Sequence, residues 1–489
     1  MSHPLRYPRL LSGFLAASIF ATSLNGGQAK SLNEYCQLTP DEIARKDNLR
    51  QDSLKGNLQA RKAYETLVAE NAARLRDCRS RHWLQEQGIW LRLYSCDVRP
   101  GSIESALDRI VAKGYNTIYV DVFGDGQVLL PPNDNPTVWD SVIKARGAEN
   151  VDLLAKVIQE GHKRGLKVYA WLFSLNYGYV YAQKSDRQDV LARNGRGQDS
   201  TTFVHDQSQA FVDPYNETAR GDYYTLLQAI LKRRPDGVLF DYIRYPRGTG
   251  TESAVTKVKD LWIFSPASRQ ALVNRGTNNK GKFIIDRYIT RGFFSANDLA
   301  EADKLFPDEG SPLWQGRFPP ENEIKIPFQT RLARLQQELW FLAVAHAAQG
   351  VIDYLAYFSS IVERQGIPAG AVFFPDGNQL VGASGFDSRL QAWDSFPPSL
   401  EWHPMSYAVC NDANCVVKQI KRVIESSGGQ TRVIPALAGL WGQSYNNRPS
   451  LEAQMEAIRV GIPQVSSISH FAFSWQEPEL DKERRFCKM

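Results

Sequence analysis

Histidine is scarce in this chain: there are seven, and no two stand at H-x-x-x-H spacing, while the six cysteines form no C-x-x-C pair. That scarcity argues against a structural zinc site and against an Asp-His-His metal centre of the kind a polysaccharide deacetylase needs, so no metal is expected. A glycine-rich phosphate turn is also missing. The first strand-like run continues as IWLRLYSCDVRPG, without the G-x-G-x-x-G of a dinucleotide fold, and no cofactor is implied. A charge excess of one sign is lacking too, with 58 basic against 53 acidic side chains. Nucleic-acid binding, which needs a basic footprint, is therefore not expected.

No N-terminal apolar run reaches the ~20 residues of a membrane span. Instead Arg6 and Arg9 precede LLSGFLAASIFA (10–21), and Gly27-Gln28-Ala29 offers small residues to a signal peptidase. Residues 1–29 thus read as a secretory signal. The expected mature protein is periplasmic or extracellular, with no stable membrane insertion. All six cysteines lie beyond the cut, and an even number in an exported chain suggests disulfides. Of the 15 connectivities open to six cysteines, the pairing expected is Cys410–Cys415 across CNDANC, Cys36–Cys78 around a helical segment, and Cys96–Cys487.

What is present is an alternation. Residues 39–80 are rich in Ala, Leu, Arg, Glu and Lys and read as one or two helices, a helical extension over 30–86. From 87 to 489 short β-type runs alternate with helical segments. The runs are IWLRL (89–93), TIYVDV (117–122), KVYAWLF (167–173), GVLFDYI (237–243), GAVFF (370–374), LEWHPM (400–405), RVIPAL (432–437) and ISHFAFSW (468–475). Segments 102–114 and 150–165 carry apolar residues at helical spacing and close on glycine, the second opening on an Asn150 cap. Eight strand-helix repeats predict an α/β chain folded as a (β/α)8 TIM barrel, whose site lies at the C-terminal strand ends. Residues 247–327 read as a loop-like insertion after strand 4 that walls the site, and 328–366 as the fourth barrel helix.

The predicted strand ends gather carboxylates and exposed aromatics: Arg92, Asp121 and Asp125, Trp171 and Asn176, Asp241 and Arg244, Asp376, His403 and Tyr407, Trp441, then Trp475 with Glu477. Sugar chemistry needs such a set, with two carboxyl groups at the anomeric carbon and flat faces for pyranose rings. Asp241 ends an apolar strand, and Arg244 is placed to hold it ionised. Asp376 and Glu477 are the candidate proton donors, with Asp121 behind them.

The run FDYIRYP (240–246) resembles the strand-4 motif of the family-10-like bacterial glycosyl-hydrolase-like barrels, F-D-Y-x-R-[FY]-P. YAWLFSLN (169–176), FVDPYNETAR (211–220) and WHPMSY (402–407) resemble further family segments in the same order. The resemblance implies a glycoside hydrolase acting on a polysaccharide or a peptidoglycan glycan strand. It makes Asp241 the active-site carboxylate with Tyr242 and Arg244 as supports, and Asp213 a second carboxylate or a helix N-cap. After strand 2 the chain departs from the family pattern, with VFGDGQVLL (122–130) where an arginine-containing run is usual. The alternative reading is a carbohydrate-binding barrel without turnover.

Overall fold

The computed structural model describes residues 32–204, 208–383, 385–407 and 409–487, so the expected signal segment lies outside the described residues. Eight parallel strands close on themselves: β1 (Glu86–Arg92), β2 (Thr117–Gly124), β3 (Lys167–Phe173), β4 (Gly237–Asp241), β5 (Ala369–Phe373), β6 (Glu401–Ser406), β7 (Ala436–Ala438) and β8 (Ser467–Phe471). Closure is made by β1, which pairs with β2 from Gly88↔Thr117 to Arg92↔Asp121 and with β8 from Glu86↔Ser467 to Ile89↔His470. The fold is a TIM barrel.

Strands buried on both faces need continuous apolar runs, which explains why these eight were readable. Two ends differ from the reading. Strand β7 is regular only from Ala436, although Val433 bridges Trp402, and the chain leaves β8 at Phe471, which puts Trp475 on the short helix Phe473–Gln476. Inside the barrel, large rings fill space that glycines vacate. A Cβ on Gly88 would sit 2.6 Å from the Tyr119 ring, and one on Gly237 2.1 Å from the Tyr169 ring.

The N-terminal extension is a helical hairpin, α1 (Pro40–Leu54) and α2 (Leu58–Arg81), started by a Thr39–Glu42 capping box and by Asn57. It docks on α3 (Ser102–Ala112) and α4 (Leu153–Lys163) around a single buried carboxylate, Asp108. Arg50, Arg164 and Lys46 reach Asp108 at 2.8, 3.0 and 3.7 Å, and Tyr64 donates to it at 2.8 Å. Helix α4 is capped by Asp152, not Asn150, because the Asp152 carboxylate accepts from Ala155 N–H. All three expected disulfides form, Cys36–Cys78, Cys96–Cys487 and Cys410–Cys415.

The segment after β4 is not loop-like. Following α5 (Glu217–Leu231) and β4 it folds α6 (Pro266–Val273), α7 (Asn279–Arg291) and α8 (Ala296–Leu305), with Asn278 and Ser295 as N-caps and Gly292 ending α7 at φ 79°. These helices pack on α9 (Phe328–Glu363), where Asp303 meets Arg331 at 2.8 Å and Ser268 contacts His346 at 3.1 Å. The insertion therefore braces α9. No residue of 247–327 is among those lining the cavity at the barrel mouth, where a wall was expected. Helix α9, 36 residues with a mean hydropathy of 1.3 over its most apolar window, is long and apolar enough to cross a membrane, yet it buries Leu335, Leu339, Val351, Tyr354 and Phe358 in the core.

Asp213 is not the cap of α5, which Asn216 provides. Its fully buried carboxylate instead accepts from Ser265 Oγ at 2.7 Å, Ser268 N at 2.9 Å and Tyr215 N at 2.9 Å, tying α6 to the barrel. Burial holds it above the usual carboxylate range.

Candidate active site

A cavity of about 270 Å³ opens at the C-terminal ends of the strands, lined by Trp90, Arg92, Asp125, Trp171, Phe173, Asp241, Tyr242, Arg244, Val372, Phe374, Met405, Tyr407 and Phe471. Its floor is Asp241, 6% exposed. The next residue, Tyr242, adopts φ 53°, a left-handed backbone uncommon for a side chain of that size. That turn aims the Tyr242 N–H at Asp241 Oδ1, 2.6 Å away, while Trp171 Nε1 on β3 donates to Oδ2 at 3.0 Å. Both carboxyl oxygens are thus held, and the acid after the apolar run of β4 faces the cavity in a fixed orientation.

Arg244 does not hold Asp241 through an ion pair, as the sequence had suggested. Its guanidinium lies 4.8 Å from the Tyr242 ring centre and 5.3 Å from that of Phe211, and Nη1 donates to Tyr245 O at 2.9 Å. Burial lowers its affinity for the proton from the usual arginine range. Asp241 is pushed up to about 6, chiefly by desolvation and secondarily by the Asp121 charge, against the pull of the Tyr242 N–H, Trp171 and Arg244.

On the opposite wall Arg92 forks between two acids. Its Nε lies 2.8 Å from Asp121 Oδ2 and its Nη1 2.9 Å from Asp125 Oδ2. Asp125 and Gly126, at φ 51° and 74°, form the two-residue turn joining β2 to the short strand Gln127–Val128, as an Asp-Gly pair favours. Desolvation pushes Asp121 up to about 6 although Arg92 opposes it. Asp121 lines a second cleft that shares Arg92 and Asp125 with the main cavity. A third joins Trp90, Arg92, Trp171 and Phe471 to Asp481 and Arg485 of the last helix, Pro478–Arg485.

The structure brings together Arg92, Asp121, Trp171, Asp241, Tyr242, Arg244 and Tyr407 of the predicted set, with Trp475 at the rim, its ring 6.2 Å from Phe471. Others stand elsewhere. Asp376 is half exposed outside the cavity lining and pairs with Arg389 at 3.1 Å. Glu477 pairs with Lys113 at 3.2 Å in an outer cleft beside α3. Asn176 is buried, its Oδ1 accepting from the Ala210 and Gly178 N–H groups. His403 is a core residue, edge-on to Tyr119 at 5.5 Å and 3.5 Å from Glu401, because β6 turns it into the barrel interior. Trp441 donates to the Tyr115 hydroxyl at 3.1 Å and packs on Tyr35 of the N-terminal extension.

Sequence reasoning missed Trp90, Phe471 and Asp481. Trp90 was within reach, since it lies two residues before Arg92 on a strand and shares its face. Asp481 gave no signal; it is placed by Tyr94 Oη, which donates to it at 3.0 Å, and by Arg484 anchoring its helix on Asp97 at 2.7 Å.

Residues 87–259, from β1 to just past β4, match the family model of Glycosyl hydrolase-like 10. Over 67 residues the chain is 37% identical to the Glycosyl hydrolase DigH of Escherichia coli (strain K12) and to that of Shigella flexneri, a stretch covering 13% of this chain and 15% of theirs. Among solved structures, the β-N-acetylhexosaminidase of Bacteroides fragilis NCTC 9343 overlaps 80% of this chain and 60% of its own at 8% identity and a TM-score of 0.41. The GH20 exo-β-N-acetylglucosaminidase of Vibrio harveyi, solved with N-acetylglucosamine, overlaps 83% of this chain and 53% of its own at 9% identity and a TM-score of 0.40.

Proposed function

We propose that the protein is an exported glycoside hydrolase that cleaves O-glycosidic bonds in a polysaccharide or in the glycan strands of peptidoglycan. The observation that carries this reading is Asp241, a carboxylate gripped by Trp171 and the Tyr242 N–H at the floor of an aromatic-walled cavity. Trp90, Trp171, Tyr242, Tyr407 and Phe471 supply flat faces for sugar rings, and Asp241 faces the anomeric carbon. With a pKa near 6 it is mostly ionised at neutral pH, as a nucleophile or an oxocarbenium-stabilising group must be. The second carboxyl group comes from the β2 side. Asp121 is raised to about 6, the same range as Asp241, and Arg92 orients it; in this reading Asp121 carries the proton while Asp241 stays ionised. Asp376 and Glu477, away from the cavity lining, take no part in this reading. The three disulfides suit an oxidising compartment.

One observation favours the second reading, a sugar-binding barrel without turnover: Asp121 and Asp125 are both engaged by Arg92. Purified mature protein incubated with a glycan panel that includes peptide-free peptidoglycan strands separates the two. Release of reducing ends supports the hydrolase, whereas retention on an immobilised glycan with no release supports the binding barrel.

A further inference from the structure

Arg244 carries a guanidinium only 7% exposed that has no carboxylate within ion-pair distance among the described residues. Its one hydrogen bond spends a single N–H on a backbone carbonyl, Tyr245 O, at 2.9 Å. The rest of the fork lies between the Tyr242, Phe211 and Phe374 rings on the cavity wall, with ring centres 4.8, 5.3 and 5.8 Å away. Rings stack on the faces of a guanidinium and leave its edge N–H groups free. Asp241 attracts this guanidinium only from beyond ion-pair distance; a buried cation with no directly bonded anion is costly, and that cost is relieved when a ligand brings a carboxylate into contact.

The neighbouring arginines sharpen the contrast. Arg389 also stands over Phe374, at 4.7 Å, and is fully buried, but it is neutralised by Asp376 at 3.1 Å and Asp387 at 2.7 Å. Arg247, exposed at the end of the same DYIRYPR run, stands 5.9 Å from the Phe374 ring and has no ion pair among the described residues. Two of the three arginines around Phe374 thus lack an ion pair among the described residues, and these two follow directly from the strand that carries Asp241. On the other wall the acids are in excess, since the single Arg92 has both Asp121 and Asp125.

We propose that Arg244, with Arg247 outside it, forms a carboxylate-reading subsite beside Asp241, so that the glycan bound here is an acidic one. A planar, forked guanidinium matches a carboxylate in two parallel N–H···O bonds, and a lone hydroxyl uses only half of it. The carboxylate comes from one of two sources, a hexuronic acid ring or an O-lactyl ether on an amino sugar. This inference rests on the glycan-site reading above and deepens it. Arg244 binds and positions substrate, and takes no part in proton transfer.

The test is binding by the full mature protein, carrying Asp241→Asn so that nothing is consumed. The probes are a hexuronic acid oligosaccharide, a peptide-free glycan strand with O-lactyl groups, and each of these after reduction of its carboxyl groups to alcohols. The expected result is at least ~10-fold weaker binding of one or both reduced probes than of the parent, equivalent to ~1.4 kcal/mol; whichever parent is favoured identifies the source. Arg247→Ala, an exposed change that leaves the core intact, should lose part of that preference, and Arg244→Gln all of it. Equal affinity for parent and reduced forms of both probes overturns the subsite, as does failure to bind any of the four. Hydrolysis by the wild type without a carboxylate preference would leave the glycosidase reading standing and sink this one. Preference without hydrolysis would do the reverse.

Discussion

Trp171 Nε1 donates to Asp241 Oδ2 at 3.0 Å across two adjacent strands, with only 7% of Trp171 exposed. The bond fixes the carboxyl plane and favours its ionised form, against a burial that pushes it up to about 6. Replacing the donor should therefore move the titration. In Trp171→Phe the Asp241 pKa rises further, and since the ionised form is the active one, activity falls away at a higher pH on the acid side than in the wild type. The pH profile of kcat/KM should show that shift, with a loss of ~10-fold or more at neutral pH.

The raised pKa also predicts how stability changes with pH. An acid held above its ordinary value stabilises the fold while protonated, below about pH 4, and that contribution is lost as pH rises through about 6. Asn at 241 does not titrate. Between pH 4 and 7 the unfolding free energy of Asp241→Asn should thus gain on the wild type by up to roughly 3 kcal/mol, from about two pKa units. Chemical denaturation at the two pH values measures it, and a gap that does not move with pH would refute the buried, charged Asp241.

The carboxylates of the site can be ranked by single substitutions. Asp121→Asn should lower kcat by ~100-fold or more if it supplies the proton. Asp376→Asn and Glu477→Gln, at residues engaged by Arg389 and Lys113 away from the cavity, should stay within a few-fold of wild type. Rates measured on one soluble glycan decide it, and the reverse ranking would put the proton donor on another strand.

The N-terminal hairpin makes a structural prediction. Asp108 is 1% exposed and pairs with Lys46, Arg50 and Arg164 at once, so Asp108→Asn leaves the buried Lys46 without an ion pair and leaves Arg50 and Arg164 with only Asp47 at 2.9 Å and Glu160 at 2.8 Å. The expected cost is about 3–5 kcal/mol in unfolding free energy, read from denaturant melts, with little change in KM.

The barrel was legible because doubly buried strands are continuous apolar runs and barrel helices carry periodic faces. Each of the eight strands lies where its run stands. The helices of the insertion were hidden by polar faces: NKGKFIIDRYITR reads as a mixture until Ile284, Ile285, Tyr288 and Ile289 are seen to share the buried side of α7. Asp241, Trp171, Tyr242 and Arg92 were legible as strand-end residues of a chemistry-bearing type. The Asp241–Arg244 ion pair expected from the sequence does not form, because adjacency in sequence does not reveal that the left-handed turn at Tyr242 directs a backbone N–H to the carboxylate and stacks the arginine on rings. His403 and Asn176 illustrate a further limit: a polar residue beside a strand end is as often turned into the core, and sequence alone does not give that direction.

The most direct measurement of the central claim is reducing-end release by wild type and Asp241→Asn, side by side on the most readily cut glycan of the panel, with matching thermal melts to show that both are folded. Steady release by the wild type and a loss of at least ~1,000-fold in the variant, with sugar binding retained, are expected. Undiminished release by a folded Asp241→Asn would contradict that claim.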